Sequence, residues 1–143
     1  AMPDIAITTD LIAGFPGETD AMFENTLQAM REIEFDYSFC FKYSPRDGTA
    51  AADFPGQIDE ETRLRRLQNM VALQREITLK KFTAQIGREV EVYVEGLSKK
   101  SPAQVSGKTR DFKIAVLSGS ADDIGTLKRS KVIRATAGTL ICA

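Results

Sequence analysis

Ile5-Ala6-Ile7-Thr8-Thr9-Asp10-Leu11-Ile12-Ala13, followed by Gly14-Phe15-Pro16-Gly17, is the stretch on which the fold of this 143-residue chain turns. The first nine residues are apolar and β-branched, which predicts a strand buried on both faces. The next four break it as a tight turn. Thr19 or Asp20 can cap the helix that follows, and Phe23, Leu27, Met30 and Ile33 give that helix an apolar stripe. Tyr37 to Tyr43 (YSFCFKY) sets Tyr37, Phe39, Phe41 and Tyr43 against Ser38, Cys40 and Lys42, a second strand. Strand, turn, helix and strand make one βαβ unit with parallel strands.

Outward from that unit, Ser44 to Gln57 is a loop rich in Pro, Gly and Ala. Asp59 opens a long helix running to Ile86, with Glu60 and Glu61 in the first turn, where the helix dipole favours negative charge. Leu64, Leu67, Val71, Ile77 and Phe82 keep apolar residues on one side, widened by Leu73 and Leu79. Arg63, Arg65 and Arg66 with Glu60 and Glu61 read as a solvated face. Gly87 is a natural stop.

After Gly87 the period changes. Glu89 to Glu95 (EVEVYVE) alternates strictly, with Val90, Val92 and Val94 on one face. Gln104–Ser106, Phe112–Leu117, Val132–Ala137 and Leu140–Cys142 are further short strands, separated by turn signals at Gly96, Gly107, Gly119 and Gly125. Five short strands at this spacing predict a small barrel of the OB type, or a sandwich. The fold class is therefore α/β plus all-β, with modules at 3–86 and 87–143. Ala1 and Met2 read as a cloning remnant and are set aside. A lone parallel strand pair leaves both edges open. The first module is expected to be completed by preceding chain or by a second copy in a homodimer.

Charge divides the chain at the same place. Residues 1–86 hold 9 Lys/Arg and 14 Asp/Glu, whereas residues 87–143 hold 10 Lys/Arg and 6 Asp/Glu. A basic module beside an acidic one points to a polyanion partner for the second. There is no histidine, which excludes His-based acid–base work and His-ligated zinc within the chain. The two cysteines, Cys40 and Cys142, form neither a disulfide framework nor a metal spacing, so a reducing cytoplasm is the expected location. Cys40 reads as a small core residue. No apolar run has the length of a membrane span.

Three stretches carry candidate chemistry. Thr9 to Thr19 lies at the carboxyl end of a strand and leads into a helix N-terminus, where open α/β folds bind ligands. Gly14 and Gly17 allow close backbone approach, and Asp10 can accept hydrogen bonds from a ribose. Taken alone, the stretch reads first as an ordinary capped turn. Tyr43-Ser44-Pro45-Arg46-Asp47-Gly48-Thr49 ends the next strand on the same rim. There Arg46 is either a carboxylate or phosphate ligand, or a solvated arginine paired with Asp47. In the β module, Lys99, Lys100, Lys108, Arg110, Lys113, Lys128, Arg129, Lys131 and Arg134 are interleaved with Tyr93 and Phe112. That pattern suits phosphate contacts plus base stacking, and the alternative is solvated strand edges.

Together these stretches resemble the radical S-adenosylmethionine methylthiotransferases, and best their tRNA-modifying, MiaB-like branch. Thr8 to Thr19 is similar to that family's TTD-x-I-x-GFPGET signature, and Tyr43 to Thr49 to its YSPR-x-GT stretch. Leu73-Gln74-Arg75-Glu76-Ile77 resembles the helix before a C-terminal TRAM domain. Glu95 to Lys100 and Gly107 to Arg110 resemble TRAM motifs.

The resemblance implies the last part of a partial TIM-like radical-SAM barrel followed by TRAM. It implies Asp10, Gly14, Pro16, Gly17 and Arg46 near S-adenosylmethionine or the substrate. It implies Lys99, Lys100, Lys108 and Arg110 on tRNA, with Lys113 in the same basic set. The reaction it implies is methylthiolation of an isopentenyl-modified adenosine beside the anticodon. There are departures. Asp47 stands where the family commonly has Pro, as does Ala50 or Ala51, and Asp111-Phe112-Lys113 replaces an Asn-containing stretch. The CxxxCxxC motif that holds the family's iron–sulfur cluster is absent, so neither cluster nor activity is expected of this chain alone. A free-standing TRAM module and a ribosomal-protein-modifying relative are the alternatives.

Overall fold

The computed structural model describes residues 5–143, so Ala1, Met2 and the start of the 3–86 module lie outside the described residues. Strand β1 (Thr8–Ala13), helix α1 (Asp20–Ile33), strand β2 (Tyr37–Lys42) and helix α2 (Glu60–Thr83) follow one another. A short 3-10 turn at Ala50–Asp53 precedes α2. Strands β3 (Glu89–Ser98), β4 (Ser101–Thr109), β5 (Ile114–Ser118), β6 (Leu127–Ala135) and β7 (Leu140–Cys142) complete the chain. The chain divides into two compact units, Ile7–Ile77 and Thr78–Ala143, with Ile5 and Ala6 grouped with the second. The division falls inside α2.

In the first unit β1 and β2 are parallel, with Asp10 opposite Phe39 and Ile12 opposite Phe41. Thr19 caps α1, its hydroxyl accepting from the Met22 amide at 3.2 Å. Asp59 caps α2 in the same way, accepting from the Thr62 amide at 2.8 Å. The core is Ala13, Phe23, Leu27, Met30, Met70 and Ile77, with Leu11, Cys40, Leu67 and Leu73 packed against it.

The expectation of a strand buried on both faces does not hold. Ile12 (56% exposed), Phe39 (62%) and Phe41 (52%) share one open face. The covered face carries Leu11, Ala13 and Cys40 instead, which join the core beneath the helices. Ile33, Leu64, Val71 and Leu79, read as members of buried stripes, are also exposed.

The second unit is a closed barrel in the order β3-β4-β5-β7-β6, with β6 pairing back onto β3. All neighbours are antiparallel except β5 and β7, and the pattern is that of a five-stranded Greek-key barrel. Val92, Val94, Val105, Ala115, Leu117, Val132, Leu140 and Cys142 fill its interior. Gly96 and Gly107 are not turn residues but lie within β3 and β4. A Cβ on Gly107 would stand 1.9 Å from the Tyr93 carbonyl oxygen, so β4 can cross β3 this closely only with a glycine there. The register shifts beside that crossing, between Val94 and Gly96, a bulge of the kind that bends a strand round a barrel.

Candidate cofactor rim and nucleic-acid interface

The carboxyl ends of β1 and β2 form one rim, because the strands are parallel and in register. The Tyr43 amide donates to the Ala13 carbonyl at 2.8 Å, which carries the pairing into both loops. Gly14 sits at φ 75° and is buried. Its amide donates to the Glu18 carboxylate at 2.8 Å. The volume a Cβ would take there is filled by the Arg63 stem, whose Cγ would lie at 2.3 Å. The missing side chain of Gly14 thus makes room for Arg63. Gly17, at φ 83°, has nothing within 4 Å of a built Cβ and faces open space, as does Gly48 in the second rim loop. The Gly17 amide reaches the Gly56 carbonyl at 2.9 Å. Phe15 packs edge-on against Tyr43 at 5.1 Å and Phe54 at 6.2 Å.

Arg63 and Arg66 overturn the solvated-face reading of the first turns of α2. The Arg66 side chain is 5% exposed and binds the Glu18 carboxylate at 2.6 Å and the Asp20 carboxylate at 2.7 Å. It also donates to the Glu18 carbonyl at 3.0 Å and lies 5.5 Å from the Phe23 ring centre. Burial works against its charge, but the Asp20 and Glu18 carboxylates outweigh it and hold the guanidinium protonated. Hydrogen bonding to Arg66 in turn keeps the Asp20 carboxyl below its usual range. Arg63 donates to the Tyr43 carbonyl at 3.0 Å and pairs with Glu60 at 3.1 Å. One turn of α2 therefore pins both rim loops, Arg66 through Glu18 and Arg63 through Tyr43.

The charge pattern of the sequence gives neither arginine nor Glu18 a role at the rim. The signal was present: Arg66 lies four residues before buried Met70 and eleven before buried Ile77, on the same helical face. Asp10 is exposed on the open face of β1, next to Ile12 and opposite Phe39. Pro16 is half-buried and Arg46 exposed on the rim. Desolvation raises the pKa of the Cys40 thiol, so it is no activated nucleophile.

On the barrel, four of the expected RNA-binding cations lie on β4 and in the turns at its two ends. Lys99 and Lys100 form the exposed tip between β3 and β4, Lys108 lies near the far end of β4, and Arg110 follows that strand. Lys108 stands opposite Tyr93 and Ile114, near the Glu95 carboxylate at 3.6 Å. Arg110 and Arg129 share the Glu91 carboxylate at 2.8 and 3.7 Å, beside a cavity of about 360 Å³ that they help to line.

Lys113 does not belong to this exposed set. Its side chain is 3% exposed, bonded to the Asp111 carboxylate and 5.8 Å from the Phe82 ring. Alternation explains it: Lys113, Ala115 and Leu117 all turn inward. Among the described residues no cluster of three or more Cys, Asp or Glu is placed to hold a metal ion, and no helix is long and apolar enough to cross a membrane.

These observations define the class: an α/β unit whose strand-end loops are tied to the following helix, joined to a closed β-barrel with a basic hairpin. No protein-family model matches the chain. It is 48% identical over 134 residues, 94% of its length and 30% of the relative's, to the tRNA-2-methylthio-N(6)-dimethylallyladenosine synthase of Moorella thermoacetica. It is 45% identical over 140 residues, 98% of its length and 27% of the relative's, to the synthase of that name from Geobacillus thermodenitrificans. For that of Clostridium botulinum the values are 42% over 139 residues, 97% and 31%. The chain spans less than a third of the length of these relatives. It is homologous to the C-terminal part of tRNA methylthiotransferases, and neither a free-standing module nor a ribosomal-protein-modifying relative is favoured.

Proposed function

We propose that this chain supplies the tRNA grip and part of the S-adenosylmethionine-facing rim of a methylthiotransferase. The full protein would act in the cytoplasm on an isopentenyl-modified adenosine beside the anticodon. The observation that carries the grip is the placement of Lys99, Lys100, Lys108 and Arg110 along β4 and in the turns at its two ends. They span roughly 25 Å of β-ribbon, enough to follow several phosphates of an RNA backbone. In this reading the barrel is an OB-like TRAM domain, whose hairpin and neighbouring strands take nucleic acid. Lys113 acts from inside, by holding the turn that carries Arg110.

Arg46 on the rim and Asp10 on the open face of β1 are the groups suited to hold S-adenosylmethionine, the guanidinium toward its carboxylate and the aspartate toward its ribose hydroxyls. The open side of Gly17 admits a ligand next to the backbone. Gly14 serves indirectly, by seating Arg63. The cofactor, when bound, supplies the reactive chemistry, and the protein supplies its orientation. An iron–sulfur cluster does not fit this chain. Four thiolate ligands are the rule, whereas Cys40 is half-buried in one unit and Cys142 buried in the other. In this reading β1 and β2 belong to a radical-SAM barrel wall: the exposed face of Ile12, Phe39 and Phe41 would turn to the barrel interior, and an open strand edge would take a preceding strand of the same protein.

Binding to an anticodon stem-loop across a salt series tests the grip. Affinity falling steeply with salt, and a shallower slope for Lys99→Ala/Lys100→Ala, is the expected result. Absence of binding at low salt, or an unchanged slope, removes it. A stable dimer in light scattering would assign the open face to a second copy instead.

A further inference from the structure

Phe112 is held in a conformation that packing does not reward. Its φ is 62°, in the left-handed region that glycine and asparagine visit readily and a bulky aromatic does not. The residue is 70% exposed, more than any other large apolar residue described, so burial offsets little of the strain.

The turn around it is over-determined. The Phe112 amide donates to the Thr109 carbonyl at 3.0 Å, and the Thr109 amide to the Lys113 carbonyl at 2.9 Å. The Thr109 hydroxyl accepts from the Lys113 amide at 3.0 Å and donates to the Asp111 carboxylate. The buried Lys113 ammonium closes on the other oxygen of that carboxylate. Desolvation works against the Asp111 charge, but the Lys113 and Thr109 bonds outweigh it and hold the carboxyl below its usual range. Strain sustained in this way is characteristic of functional sites.

What the turn presents is an aromatic face among cations. The Lys108 ammonium lies 5.4 Å from the Phe112 ring centre, and half-exposed Tyr93 stands opposite Lys108 across the strand pair. The Arg110 side chain is 83% exposed. An exposed ring flanked by cations matches the two parts of a nucleotide, a flat base and its phosphates.

We propose that Phe112 is a stacking platform for one unpaired RNA base, presented by the locked Thr109–Lys113 turn, with Lys108 and Arg110 on the neighbouring phosphates. This rests on the RNA reading above and narrows it to unstacked nucleotides, since a base within a duplex offers no free face.

The chain has no tryptophan, so Phe112→Trp installs a sole reporter. Its emission is quenched by an RNA stem-loop and not by a duplex of the same composition. Phe112→Asn removes the ring and relieves the backbone. It loses roughly 5- to 100-fold in stem-loop affinity, keeps the salt slope because no charge is lost, and melts about 2–6 °C higher. A merely structural role would move affinity and stability in the same direction. Stem-loop affinity unchanged in Phe112→Asn, or no quenching in Phe112→Trp, overturns the proposal and assigns the ring to a protein contact. If Lys99→Ala/Lys100→Ala weakens binding while Phe112→Asn does not, only the stacking site falls. Absence of any RNA binding by the unaltered chain removes both.

Discussion

In the Thr78–Ala143 unit every strand has a neighbour on each side, and the backbone closes on itself. In the Ile7–Ile77 unit β1 and β2 pair only with each other among the described residues, and one face of the pair is bare. The bare unit nevertheless sets a charge network, Arg66 with Glu18, on its helix-covered side. The barrel places its order in backbone pairing and an apolar interior. The α/β unit places it in side chains that tie loops to a helix, while the opposite face carries no packing. Closure makes a unit self-sufficient, whereas an open sheet concentrates its specificity on the covered side.

The largest expected effect breaks closure. Gly107→Val drives a side chain into the Tyr93 carbonyl, and no rotamer change relieves a clash with backbone. The barrel is expected to lose its cooperative transition in thermal denaturation, a cost of at least about 3 kcal/mol. A variant that melts like the parent would show that β3 and β4 need not cross so closely.

Next comes the tether. Arg66→Met leaves the Glu18 carboxylate buried without its partner, at a cost of about 3–5 kcal/mol in urea denaturation. Arg66→Met/Glu18→Gln recovers part of that loss, because the unpaired charge is gone and an amide can still accept from Gly14. Equal stability of the single and double variants would mean that Glu18 is solvated and the network is not what holds the rim.

The smallest effect sharpens the contrast. Phe39→Ser, on the open face, is expected to change stability by less than about 0.5 kcal/mol in urea denaturation. A loss of several kcal/mol would show that this face is packed within the isolated chain.

Much of this was legible beforehand, for identifiable reasons. Strict alternation from Glu89 to Glu95 announces a strand whatever surrounds it, since the pleat alone sets the period of two. The caps at Thr19 and Asp59 are local, and each lies within three residues of the amide it serves. Other features misled. Arg66 beside Glu60 and Glu61 looks like a solvated charge run, and only the neighbouring loop of β1 makes it a buried ligand of Glu18. Lys113 counts as a cation in composition, yet strand parity turns it inward. Gly96 and Gly107 look like turn signals and are instead where two strands bend and nearly touch.

Local periodicity, capping and charge by themselves determined that a βαβ unit precedes a small basic barrel, because those properties act over a few residues. Which face of β2 is covered, which arginines are buried, and why residue 107 has no side chain were decided only in three dimensions. Each depends on an element distant in the chain arriving within van der Waals or hydrogen-bond range, and no local pattern encodes that distance.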